Sequence, residues 1–185
     1  MMRAGKSIGR LILWIALFFV TACDFLPHSV DIIPHKLTFV LPSGLRDATP
    51  EEIKSTLGKN ELGGRLFIHD TYNFKVIVIV EPSPAGSSND FIFSDNYLSK
   101  LASKELIKAD FDSTSKSALT KMEDSRTIAG TKWAYLETEV ENNRYYVTVL
   151  GIVGKQQIMI TYNTTPYVFD KIMRREISRS INSIH

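Results

Sequence analysis

Hydrophobic residues alternate with polar ones along much of the chain, and this period of two predicts a domain rich in β-strands. In "HKLTFVLPSG", Leu37, Phe39 and Leu41 alternate with other residues before a Pro-Ser-Gly turn. In "FKVIVIVE", an unbroken apolar run from Val76 to Val80 predicts a central strand that is covered on both faces. The same reasoning predicts further strands at 65–69 and within 117–130.

Residues 132–163 predict a three-stranded meander in which the turns set the strand register. We take Asn142-Asn143 as a two-residue turn, because asparagine tolerates positive φ, and Gly154-Lys155 as the next turn. This register puts Val140 opposite Tyr145, with apolar side chains on one face. The opposite face, at the turn end, carries acidic side chains in contact with solvent, namely Glu137, Glu139 and Glu141.

Three segments have the period of amphipathic helices. A short helix is expected after Thr49, with Pro50 at its first position and Gly58 as its stop. A second helix is expected from Ser94, and a third closes the chain after Thr165. The buried stripe expected in the last helix is Phe169, Ile172, Met173, Ile177 and Ile181.

These elements predict one α+β domain over residues 36–185. Its centre would be a mainly antiparallel sheet of five to seven strands with helices packed on both faces, an α-β-α arrangement. A domain of this length can bury a core of its own. Because Cys23 is the only cysteine, that core must hold the domain together without an internal disulfide.

The first 22 residues have the order of a secretory signal. An apolar block of about a dozen residues follows a basic start and is shorter than the roughly 20 residues that a membrane-spanning helix needs. The basic residues of that start are Arg3, Lys6 and Arg10. We therefore expect a signal peptide at 1–22 and a short tether at 23–35.

The end of the apolar block, "VTAC", resembles the lipobox of bacterial lipoproteins. The resemblance implies that Cys23 is modified with diacylglycerol, becomes the first residue of the mature chain and is N-acylated. Asp24 resembles the residue that favours retention in the inner membrane in enterobacterial lipoproteins. The expected location is therefore the cell envelope, lipid-anchored at the inner membrane and facing the periplasm.

The overall charge changes once the signal is removed. The 22 basic residues fall to 19 against 20 acidic ones, so the formal charge of +2 becomes −1. Nucleic-acid binding depends on a strongly basic surface. We therefore expect no nucleic-acid partner.

The chain offers little catalytic or metal-binding chemistry. The one cysteine is assigned to lipid, and no Gly-x-Ser-x-Gly nucleophile pattern is present in the domain at 36–185. His69 and Asp70 form the one base-and-orienter candidate, and a strand-end pair of this kind is more often surface chemistry. Glu137 and its two acidic neighbours suit a hard cation. Strand alternation also explains them fully as a solvated face, which is the interpretation that we favour. We expect no catalytic residue, no cofactor and no metal.

The last helix has a basic outer side formed by Lys171, Arg174, Arg175 and Arg179. Such a surface suits anionic lipid or an acidic partner. The solvated side of an ordinary helix would look the same, and this is the interpretation that we favour from the sequence.

The order of motifs also resembles a known family. A lipobox, "KLTFVLP", "KVIVIV", a central helix, "IAGTKWAYLE" and "YVTVLGIVGKQQIMITYN" before a C-terminal helix look like the DcrB family of periplasmic lipoproteins. The resemblance implies a Mog1/PsbP-like fold and an association with envelope biogenesis or phage uptake. It supplies no catalytic residues.

The function expected from the sequence is a non-enzymatic binding or accessory module. It would be anchored through Cys23 near the inner membrane surface and would bind an envelope protein. The alternative is a lipid-anchored hydrolase or small-ligand-binding domain that uses the His69 region.

Overall fold

The structure is a computed structural model that describes residues 27–34, 36–57, 64–83, 118–140 and 143–185. The expected signal peptide at 1–22, Cys23 and Asp24 lie outside the described residues, as does the helix expected from Ser94. Predictions for these segments therefore stay predictions.

Nine β-strands, all paired antiparallel, dominate the described part of the chain. Seven of them form one sheet in the order β3-β4-β5-β9-β8-β7-β6, and β1 and β2 form a separate hairpin. The expected central strand is β5, which lies between β4 and β9. The strands are β1 (Ser29–Ile33), β2 (Leu37–Val40), β3 (Leu45–Asp47), β4 (Gly64–His69), β5 (Phe74–Pro82), β6 (Ala118–Ile128), β7 (Thr131–Val140), β8 (Arg144–Val153) and β9 (Gln156–Thr164).

The first helix, α1, spans Pro50–Leu57 and begins with a capping box formed by Thr49 and Glu52. The Glu52 carboxylate accepts a hydrogen bond from the Thr49 N–H at 2.8 Å, and the Thr49 hydroxyl accepts one from the Glu52 N–H at 3.3 Å. These reciprocal bonds satisfy backbone donors that the first helical turn leaves unpaired.

The second helix, α2, combines an α-helical turn at Pro166–Val168, a π-helical segment at Phe169–Met173 and an α-helical end at Arg174–Asn182. The Thr165 hydroxyl caps it by accepting the Val168 N–H at 3.3 Å. Helices α1 and α2 are those that the described residues contain. The sheet is thus confirmed, whereas the placement of helices on both of its faces is not.

The prediction that Ile172 is buried is wrong. Its neighbours in the expected stripe are at most 4% exposed, whereas Ile172 is 37% exposed. The Arg174 N–H bonds to the Phe169 carbonyl, five residues earlier, which defines the wide π-helical turn. That turn aligns Phe169 with Met173 on the inner side and rotates Ile172 outward.

The main core lies between one face of the seven-stranded sheet and a layer formed by the β1–β2 hairpin and α2. Apolar side chains of both layers belong to one buried cluster, which includes Phe39, Val149 and Ile177. The Tyr162 hydroxyl on β9 also lies 2.9 Å from the Ser180 hydroxyl on α2. Packing and this hydrogen bond together fix α2 on the sheet.

Residues 29–33 differ from expectation, because they form β1 rather than part of the tether. Val30 and Ile33 are 5% and 8% exposed and belong to the main core. The sequence pattern did not predict this strand because the strand is short. Its pairing with β2 is also irregular between Asp31 and Ile33. The Leu41 N–H bonds to the His28 carbonyl at 3.0 Å, so the ordered backbone pairing begins at residue 28.

The residues after α2 are fixed to the outer edge of β2. Thr38 and His185 exchange two backbone hydrogen bonds of 2.8 and 3.1 Å, and the Ser183 hydroxyl accepts the Val40 N–H at 2.7 Å. Because Val40 directly precedes Leu41, the C-terminal end of α2 and the bond at His28 lie next to each other.

The expected register of the β7–β8 hairpin is wrong by one residue. Val140 pairs with Arg144 and Glu137 with Val147, so three residues, 141–143, separate the last pair. Asn143 has φ 61, as expected for the left-handed residue that ends many three-residue hairpin connections. A slip of one residue exchanges the two faces of a strand. Glu137 therefore points into the core, whereas the next turn, at Gly154, is as predicted.

An ion-pair cluster joins α1 to the edge of the sheet. The Arg46 guanidinium lies 2.9 Å from the Glu52 carboxylate and 2.7 Å from the Asp70 carboxylate. The hydrogen bond from Arg46, together with that from the Thr49 backbone, lowers the pKa of Glu52 from 4.5 to about 2. A carboxylate with a lowered pKa stabilises the folded state only while it is ionised.

We expect Glu52→Gln to reduce the amount by which the free energy of unfolding falls as the pH is lowered. The contribution of Glu52 is complete above pH 4.5 and is lost as the pH falls from there towards about 2. The variant should be less stable than the wild type at neutral pH, and the difference should shrink across that window. Urea unfolding at stepped pH values measures this. Glu51→Gln, in the same helical turn, is the control and should keep the wild-type slope; equal slopes for all three proteins would contradict the prediction.

Candidate functional site

The most distinctive polar group in the described structure is the buried carboxylate of Glu137. Its residue is 6% exposed, and its two oxygens accept hydrogen bonds from the hydroxyls of Tyr135 and Tyr145. Tyr135 precedes Glu137 by two residues on β7, so both side chains share a face. The β7–β8 register brings Tyr145 to the same face.

The two tyrosines are held in their protonated form. Burial raises the pKa of both Tyr135 and Tyr145, and the hydrogen bond to Glu137 and its negative charge raise the pKa further. Both hydroxyls therefore remain donors throughout the physiological pH range. A buried carboxylate with two such donors meets the requirement that buried charge be hydrogen-bonded.

The π-helical segment of α2 covers this cluster. The Phe169 ring stacks on Tyr145 with 4.4 Å between centroids, and the Arg174 guanidinium carbon lies 4.4 Å from the Phe169 centroid. The Arg126 guanidinium lies 3.7 Å from the centroid of the Tyr135 ring. Two aromatic rings of this cluster thus each carry a cationic group, an arrangement that cation–π attraction favours.

Arg174 links this buried cluster to the surface of α2. Its Nη2 atom lies 2.6 Å from the Asp170 carboxylate. That hydrogen bond raises the pKa of Arg174, and the charge of Glu137 adds to the effect against the opposing influence of burial. The cluster therefore positions the first half of α2 through aromatic stacking, hydrogen bonds and charge.

The acidic residues weighed as cation ligands can be compared with the structure only in part. Glu137 is turned towards two tyrosines, and Glu141 lies outside the described residues. No group of histidine, cysteine, aspartate or glutamate suited to a metal ion occurs within the described ranges.

His69 and Asp70 do not form the base-and-orienter pair considered from the sequence. The His69 Nδ1 atom accepts the N–H groups of Thr71 at 3.1 Å and Tyr72 at 3.3 Å, which caps the β4–β5 turn. Asp70 instead pairs with Arg46. Burial lowers the pKa of His69, opposed by the charge of Asp70, and the neutral ring suits its role as an acceptor.

The four basic residues predicted on α2 are all exposed, but they do not form one unpaired patch. Arg174 pairs with Asp170, and Arg179 pairs with Glu176 at 2.8 Å. In the part of the chain that the structure describes, Lys171 and Arg175 have no ion-pair partner. The prediction from the sequence considered only the basic residues of this helix and left out the acidic residues that lie between them.

Two hydrophobic side chains accompany these cations on the outer side of α2. Tyr167 is 68% exposed and Ile172 is 37% exposed. Among the described residues, Met122 on β6 is the other large hydrophobic residue with comparable exposure, at 42%. Tyr167, Lys171 and Arg175 follow one another at intervals of four residues, so an exposed aromatic ring and two unpaired cations share one side of the helix.

Comparisons with solved structures identify the fold. The cyanobacterial PsbP protein, CyanoP, from Synechocystis sp. PCC 6803 matches with a TM-score of 0.66 and 14% identity over 85% of this chain and 91% of that one. The chain has a Mog1/PsbP-like fold. This part of the sequence-based prediction is confirmed, whereas membership of the DcrB family is not.

Two other solved structures match this chain with lower TM-scores. A variant of the protein Mog1 matches with a TM-score of 0.49 and 12% identity over 86% of this chain and 95% of that one. A protein of unknown function from Pseudomonas aeruginosa matches with a TM-score of 0.43 and 10% identity over 84% and 95%.

Searches by sequence add no relative. No protein-family model matches the chain, and no curated protein does. Within the described residues, no helix has both the length and the hydropathy needed to cross a membrane.

Proposed function

We propose that this chain is a lipid-anchored, non-enzymatic binding module of the bacterial cell envelope, held at the inner membrane surface. The observation that carries the proposal is the short distance along the chain between Cys23 and the fold. The backbone pairing of the domain begins at His28. Five extended residues span at most about 18 Å, so acylation at Cys23 would hold the domain against the headgroups.

The lipobox-like sequence supplies the attachment chemistry. One acyl chain gives marginal membrane binding, whereas several chains, each contributing about 0.8 kcal/mol per buried CH₂, give stable anchoring. Under this proposal, Asp24 directs retention in the inner membrane.

The arrangement of polar side chains supports binding rather than catalysis. His69 caps a turn, Glu137 holds two tyrosine hydroxyls, and Arg46 joins α1 to the sheet edge. Each of these groups forms contacts within the domain that stabilise the fold. The remaining surface of the domain would bind an envelope protein. Because the anchor would hold the domain at the membrane, crosslinking in the envelope can identify that protein.

Mass spectrometry of the mature chain tests the anchor. We expect the wild type, expressed with its own signal in a bacterial host, to begin at an acylated Cys23 and to fractionate with the inner membrane. Cys23→Ser should lose both the lipid and the processing. Asp24→Ser is the matched control, because it should keep the lipid and change only the membrane in which the protein is found. An unacylated wild-type chain would refute the proposal.

Crosslinking in the native envelope tests the binding role. Wild type is compared with Cys23→Ser exported through a non-lipoprotein signal. We expect one or two membrane proteins to be captured only with the acylated form. Capture of the same set from both forms, or of nothing from either, would argue against a membrane-held binding module.

A further inference from the structure

We propose that the outer side of α2 lies in the headgroup region of an anionic bilayer, with Tyr167 and Ile172 inserted and Lys171 and Arg175 next to lipid phosphates. This inference rests on the proposed lipid anchor and adds the surface through which the domain contacts the membrane. The sequence alone suggested only that a basic side of the last helix suits a membrane or a partner.

The position of the anchor relative to α2 is the first argument. The carbonyl of His28, where the tether meets the fold, accepts a hydrogen bond from Leu41. The preceding residue, Val40, donates to Ser183, which directly follows the last residue of α2. An anchor a few residues before His28 therefore brings the end of α2 close to the bilayer.

The chemistry of the exposed side chains is the second argument. Tyrosine carries an apolar ring and a polar hydroxyl, which suits the boundary between headgroups and acyl chains. Lysine and arginine can place their alkyl stems along the apolar layer and their charges among phosphates. Tyr167, Ile172, Lys171 and Arg175 combine these properties on one helix.

The π-helical turn is the third argument. It turns Ile172 outward, although a regular α-helical stripe would bury it. The same turn is fixed from below, where Phe169 stacks on Tyr145 and Arg174 lies over Phe169. The outer side of α2 is therefore formed before any membrane contact, so binding does not carry the entropic cost of folding a helix.

Charge favours a bilayer as the occupant of this surface. With Arg174 and Arg179 paired to acidic neighbours, the unpaired cations Lys171 and Arg175 determine the sign of the potential next to Tyr167 and Ile172. A short anchor also keeps the bilayer at high local concentration. An anionic membrane thus satisfies the charge of this surface, and the anchor holds it near the C-terminal end of the helix that carries the surface.

Site-specific fluorescence in vesicles tests the inference. Cys23 is the only cysteine of the chain and is consumed by lipid, so Ile172→Cys provides one free thiol. The full lipoprotein is labelled there with an environment-sensitive dye and reconstituted into vesicles of phosphatidylcholine and phosphatidylglycerol. Met122→Cys is the matched control, because Met122 is 42% exposed and Ile172 is 37% exposed.

We expect the dye at residue 172 to shift its emission to the blue and to be quenched by lipids spin-labelled near the headgroup, and the dye at residue 122 to show neither effect. Lys171→Gln and Arg175→Gln should each lower the equilibrium constant of the contact between α2 and the bilayer, measured by quenching at residue 172, by about fivefold. Lys155→Gln, which removes the same charge from the β8–β9 turn, should leave the contact unchanged.

The outcomes separate the two proposals. Quenching at residue 172 no greater than at residue 122, in a protein that floats with the vesicles, overturns the membrane contact and leaves the anchor intact. Equal quenching in purely phosphatidylcholine vesicles overturns the assignment to anionic lipid. A chain that carries no lipid and does not float overturns both proposals.

Discussion

Replacing Glu137 by alanine is expected to lower the free energy of unfolding by about 2–6 kcal/mol, because each of two buried hydroxyls left without a partner costs about 1–3 kcal/mol. The hydroxyls belong to Tyr135 and Tyr145, which are 4% and 7% exposed and donate to the two carboxylate oxygens. The lost side-chain volume adds a cavity below Phe169. Chemical denaturation monitored by tyrosine and tryptophan fluorescence measures the change.

Two further variants separate the hydrogen bonds from the rest of the effect. Glu137→Gln keeps the shape and one acceptor oxygen, so it should cost clearly less than alanine. Glu139→Gln, two residues along the same strand and only half-buried, should change stability by less than about 1 kcal/mol. If Glu137→Ala and Glu139→Gln were equally mild, the carboxylate would not hold the tyrosines as described.

Gly151→Ala is expected to destabilise the fold by about 1–3 kcal/mol or more, as overpacking of a filled core does. A Cβ atom at Gly151 would lie 2.6 Å from Cε3, 2.7 Å from Cδ2 and 2.9 Å from Cζ3 of Trp133. The Trp133 ring is fully buried, so it has no solvent to move into. The backbone at Gly151 is not in the left-handed region, so the cost is steric.

The rescue experiment makes this prediction specific. Trp133→Phe removes two of the three ring atoms that the new methyl group would strike, Cε3 and Cζ3, so the double variant should lose less stability than the two single changes added together. Gly154→Ala is the contrasting control. Its Cβ meets nothing within 4 Å, but the residue has φ +63, which should cost about 1–2 kcal/mol through the backbone alone. Strict additivity of the Trp133 and Gly151 changes would contradict the contact.

Local sequence patterns were sufficient to predict most strands and both described helices. Alternation identified β2, the apolar run identified β5, and capping residues identified the starts of α1 and α2. These features depend on residues close together in the chain. The Mog1/PsbP-like fold was implied by the resemblance to the DcrB family and is supported by the likeness to CyanoP.

The candidate site could not be predicted in the same way, because it depends on single-residue offsets. The two-residue interpretation of Asn142-Asn143 put Glu137 on the solvent side, and the three-residue connection puts it in the core. The sequence feature that could have indicated the buried carboxylate is Tyr135, which lies two positions before Glu137 and places a hydroxyl donor on the same face. Ile172 moved from core to surface because one turn of α2 is wider than an α-helical turn.

The separate β1–β2 hairpin has a mechanical consequence. If the chain is held at residue 23, force on the domain enters through residue 28 and reaches β1 first, because β1 pairs with β2 and not with the seven-stranded sheet. Detachment of β1 would extend the connection by about 17 Å at roughly 3.3 Å per residue. The large sheet would remain intact while Val30 and Ile33 became exposed, so the hairpin would yield under load before the rest of the domain.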